Sequence, residues 1–185
     1  MNKVENNIPK KIMDYFIKKP EYLLPSNAII IGENIPNGII HVILSTNSHE
    51  IVTKVFKILS DYTPNIEKEK QEMLANLVSF FKIDLVDISD MLLDCARELK
   101  QVDGIYAGLH MGMMQAIENP NGFNYPFFEG FELKFGMAMG DMAKKLEKKI
   151  IITEPIYNSC TDNRSLKYLT NVKLKNGSLV KLYDI

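Results

Sequence analysis

"IEKEKQEMLANLVSFF", residues 66–81, admits two secondary structures, helix or strand. Met73, Leu74, Leu77, Val78 and Phe81 recur at the spacing of one helical face, whereas "NLVSFF" alone has the character of a strand. The local pattern favours a helix. Its neighbours on both sides are helical with less ambiguity. In "SHEIVTKVFKILSDY" (48–62), Ile51, Val52, Val55, Ile58, Leu59 and Tyr62 keep a 3.6-residue period, Ser48 is placed to cap the start, and Pro64 ends the run. "DLVDISDMLLDCARELKQ" (84–101) repeats Leu85, Ile88, Leu92, Cys95 and Leu99, opens with acids and closes with Arg97 and Lys100, which suits the helix dipole at both ends.

Further toward the N-terminus, "NAIIIGENIPNGIIHVIL" (27–44) has two apolar runs about "PNG", which local rules read as a β-hairpin; the second run also suits the first turns of a helix. Before it, "NNIPKKIMDYFIKKPEYLLPSN" (6–27) predicts a short amphipathic helix through Ile12, Phe16 and Ile17, stopped at Pro20. Toward the C-terminus, Gly104 breaks the 84–101 helix before a strand, "DGIYAGLHMGMMQAI" (103–117). "ENPNG" (118–122) then supplies a turn before a second, aromatic strand in "FNYPFFEGFEL" (123–133). "KFGMAMGDMAKKLEKK" (134–149) is an amphipathic helix with Met139, Met142, Ala143 and Leu146 on one face. "IIITEPIYN" (150–158) reads as a strand, and "NVKLKNGSLVKLYDI" (171–185) as a hairpin turning at "KNGS".

The chain has 185 residues, 46% hydrophobic and 24% charged, with a formal net charge of -1. That size buries a sizeable single core. The charge balance argues against a nucleic-acid partner, which calls for a basic surface. Cys95 and Cys160 stand in no metal or disulfide spacing, no apolar run is long enough to span a bilayer, and "MNKVENNIPKK" lacks the apolar centre of a secretion signal. The expectation is a cytoplasmic protein with no membrane partner.

Taken in order, residues 84–185 resemble the catalytic homology domain of class III adenylyl and guanylyl cyclases. "GLHMG" (108–112) resembles the family's Gly-Ile-His-Thr-Gly strand, and "DMAKKLE" (141–147) its Asn-x-Ala-x-Arg-Leu helix. "IIITEPIYNS" (150–159) is similar to its strand ending in Ser-Glu and an aromatic residue, and "VKLKNGSLVKLYDI" (172–185) to its closing hairpin. "IPKKIMDYFIKKPEYLLPSNAIIIGENIPNGI" (8–39) is similar to the lead helix and first strand of many bacterial cyclases. The resemblance implies an α+β, ferredoxin-like domain over residues 25–185, preceded by a lead-in helix over 1–24. Its sheet is mainly antiparallel with helices packed on one face. A hairpin within residues 60–82 restores that topology and a helix breaks it.

A cyclase joins the 3'-hydroxyl of a nucleoside triphosphate to its own α-phosphate, chemistry that calls for two cations and for groups facing the developing charge. Carried over residue by residue, the family's two metal-binding aspartates fall on Glu33 and near Met73 and Leu74, where Glu72 is the nearby carboxylate. Its asparagine and arginine, which face the transition state across a dimer interface, fall on Asp141 and Lys145; a register one residue earlier gives Gly140 and Lys144. An aspartate adds negative charge toward a triphosphate, and a lysine lacks the fork of arginine. The family's base-reading lysine and aspartate have no counterpart.

These departures imply a domain that keeps the fold and loses the reaction: a homodimerising regulatory or ligand-binding module, with Mg²⁺ or Mn²⁺ present only if a nucleotide binds. The aromatic strand and the methionines are the candidate pairing surface. The alternatives are a divergent purine nucleotide cyclase using Glu33, Glu72, Asp141 and Lys145, and a small-molecule sensor with an apolar pocket. His110 stands in an apolar strand with no partner at ligand spacing and is read as structural, as are His41 and His49. Lys144, Lys145, Lys148 and Lys149 read as a solvated helix end.

Overall fold

A strand buried on both faces needs cover on both, and this requirement shapes the sheet. The computed structural model describes residues 34–45, 48–62, 66–71, 74–82, 88–117, 127–129 and 131–185. Within it, Ile39, Ile40, Val42, Ile43 and Leu44 of β1 (Asn34–Leu44) are each at most 4% exposed. Since successive side chains of a strand point to opposite faces, both sides of β1 are covered. There follow α1 (His49–Ser60), β2 (Ile66–Gln71), β3 (Leu74–Lys82), α2 (Ile88–Leu99), β4 (Ile105–Ile117) and β5 (Phe127–Glu129). The chain continues with α3 (Phe131–Lys145), β6 (Ile150–Thr153), α4 (Glu154–Ser159), β7 (Lys167–Lys173) and β8 (Leu179–Asp184).

The strands form one sheet in the order β2-β3-β1-β4-β6-β8-β7, with β5 paired to β4. All pairings are antiparallel except β4 with β6. From β1 to β4 the succession β-α-β-β-α-β is the ferredoxin-like arrangement. Fold class and sheet character are therefore as expected from the sequence. Among the described residues no helix is long and apolar enough to cross a membrane.

Four local expectations are corrected. Residues 66–81 belong to a hairpin of β2 and β3, because β1 has an edge to fill: Asn37 to Ile43 pair with Lys82 to Asn76 of β3. Tertiary pairing outweighs the helical spacing. "PNG" lies within β1, because that strand is laddered on both sides, Gly38 opposite Phe81 on β3 and Met111 on β4. Gly38 serves close packing there: a Cβ on it would lie 2.7 Å from Leu92 Cδ1. The aromatic strand does not run on to Leu133, since α3 already begins at Phe131. "IIITEPIYN" is a strand only to Thr153, after which Pro155 sits in the first turn of α4, where its missing N–H costs nothing. The lead-in helix predicted over 1–24 lies outside the described residues.

Helices α1, α2 and α4 cover one face: Val55, Leu59, Met91, Leu92, Cys95, Leu99 and Ile156 pack with Ile40, Val42, Leu44, Ala107 and Leu109. The one-sided cover expected from the sequence describes these three helices, and α3 adds a layer on the opposite face, with Phe135, Met139 and Ala143 against Ile151 and Leu182. That layer depends on glycine. A Cβ on Gly108 would fall 2.1 Å from the Met139 carbonyl carbon and 2.4 Å from the Gly140 nitrogen, so the helix backbone rests directly on β4. In return, Gly136 makes room for Ile39 and Gly140 for His41. Gly108→Ala has no flexible neighbour to displace. It is expected to lower stability by about 3 kcal/mol or more, the upper end of what overpacking costs, measured by urea denaturation.

Tyr62 closes α1 against α2: its phenol, 2% exposed, donates to Glu98 Oε1 at 2.8 Å. Burial pushes this phenol up, and Cys95, Asp94 and Asp61 add to the effect. Because the folded state favours the neutral form, the stabilisation is fully present below the unfolded tyrosine value of about 10 and is lost as pH rises above it. Stability is expected to fall in alkali, and Tyr62→Phe to flatten that fall while costing about 1 kcal/mol at neutral pH, both read from denaturation midpoints across pH.

Candidate functional site

Helix α3 runs alongside β1 in the same direction, since Gly136 faces Ile39 and Gly140 faces His41. Its C-terminal turns therefore come out at the end of β1 that leads into α1. There Asp141 and Lys145, one turn apart, are both exposed. The connection between β2 and β3 falls at this same end, because Ile43 pairs with Asn76 and Gln71 with Leu74. Glu33 and Glu72 lie outside the described residues.

Between β1 and α1 the sequence carries Ser45, Thr46, Asn47 and Ser48. Ser45 is committed to the fold: its N–H and its hydroxyl both donate to the Gly104 carbonyl, at 2.8 and 2.7 Å. Mg²⁺ and Mn²⁺ favour carboxylate oxygens. Asp141, with Lys145 one turn away, is a poor fit for such an ion, and among the described residues no three His, Cys, Asp or Glu side chains converge to hold a metal.

The sequence drew attention to His110, and the structure gives it two partners that spacing did not reveal. The ring is 2% exposed, with Nδ1 2.8 Å from Thr153 Oγ1 and Nε2 2.6 Å from Glu132 Oε2. Phe135 meets it edge-on at 4.9 Å and 86°. An ionised carboxylate only accepts, so Nε2 donates to Glu132, and Nδ1 shares a hydrogen bond with the Thr153 hydroxyl. Glu132 reaches the ring because Gly112 has no side chain; a Cβ there would lie 2.7 Å from Glu132 Oε2.

Hydroxyl, imidazole and carboxylate suggest a nucleophilic relay, but Thr153 is 0% exposed, so its hydroxyl meets no substrate. The arrangement ties β4, β6 and the first turn of α3 together, and His110 is structural as expected. The only signal for Glu132 and Thr153 in the sequence was their place at helix starts, which carries no pairing information. His110→Leu is expected to cost about 1–3 kcal/mol, the price of stranding a buried partner. In urea denaturation, Thr153→Val added to it should cost less than it does alone, the mark of a coupled pair.

No family model and no curated protein matches the chain. Solved structures do. The catalytic core of a rhodopsin-guanylyl cyclase with converted specificity, in complex with ATPαS, superposes with a TM-score of 0.54 at 15% identity, covering 84% of this chain and 99% of that one. A bacterial light-regulated adenylyl cyclase gives a TM-score of 0.58 at 12% identity, over 84% of this chain and 53% of that one, so the match spans about half of that protein. The guanylate cyclase domain of RhGC from Catenaria anguillulae, in complex with GTP, gives 0.50 at 16% identity, over 82% and 96%. What is shared at such identities is the architecture: the chain has the fold of the adenylyl and guanylyl cyclase catalytic domains.

Proposed function

We propose that this domain keeps the cyclase fold without the cyclase reaction and acts as a homodimerising regulatory or ligand-binding module. The observation that carries the reading is the end of the sheet where α3 and β1 finish. Exposed Asp141 and Lys145 stand there on the last turns of α3. Two-cation chemistry needs carboxylates converging on the metals, and Asp141 turns a like charge toward any triphosphate. Lys145 supplies a point charge without the paired donors of arginine. Binding of a small anionic molecule remains compatible with this surface, in keeping with the ATPαS and GTP carried by the structural relatives. Met113 and Phe131, 51% and 52% exposed, are the apolar residues offered for pairing.

The alternative reading is a divergent purine nucleotide cyclase using Glu33, Glu72, Asp141 and Lys145, with Mg²⁺ or Mn²⁺ on Glu33 and Glu72. Calorimetric titration with ATP and with GTP in Mn²⁺, beside a turnover assay, separates the two. The expected result is no cyclic nucleotide from either substrate; product that falls on Glu72→Ala or Lys145→Ala establishes the second reading. Sedimentation should show a dimer that Phe131→Asp shifts toward monomer, and a monomer at every concentration overturns the pairing.

A further inference from the structure

We draw no further inference here: the strongest candidate, the outer edge of β7 with Tyr168 exposed on it and Leu179 exposed on the adjoining β8, carries only the lysines, Lys167 and Lys173, that ordinarily guard a sheet edge, and nothing in the structure shows what covers it.

Discussion

At Gly108 the backbone of α3 lies directly on β4, and this contact fixes how the second face of the sheet is covered. One face of the sheet is covered in the usual way, by apolar side chains of α1, α2 and α4 meeting those of β1 and β4. On the other face the helix and strand approach so closely that neither Gly108 nor Gly140 has room for a methyl group. With α3 seated, Met139 and Ala143 are sealed against Ile151 and Leu182, and the outward positions of the helix are set by geometry. Glu132, Asp141 and Lys145 owe their places to that seat. Buried His110 then fixes the N-terminal end of the helix through Glu132 and the end of β6 through Thr153.

Much of the fold was legible in the sequence, and the failures have physical causes. Helices α1 and α2 were readable because each buries one face at helical spacing, and the β7–β8 hairpin because Asn176–Gly177 supports a tight turn, Gly177 adopting φ +87°. The stretch 66–81 misled because its apolar spacing satisfies a helix, while its pairing was settled by β1, two elements away. "PNG" misled for the same reason: a turn signal is local, and Gly38 answers to Leu92. The two faces of the sheet were not separable, because an amphipathic pattern says that a helix has an apolar side and not which layer it meets.

The candidate site divides along the same line. Asp141 and Lys145 were named from their place in a motif, and both lie on α3. Glu132 and Thr153 were missed because their link to His110 is made across three elements by folding.

Seating a helix through its glycines has a further consequence for how such a domain can change over time. The positions that hold α3 in place are Gly136, Met139, Gly140 and Ala143; those that would do chemistry, Asp141 and Lys145, project the other way into solvent. Substitution at exposed positions costs stability within about 0.5 kcal/mol either way. Catalytic letters on such a helix are therefore cheap to lose, whereas its anchoring letters are not. A lineage built this way can drift in activity, and in overall sequence, while its architecture stays recognisable.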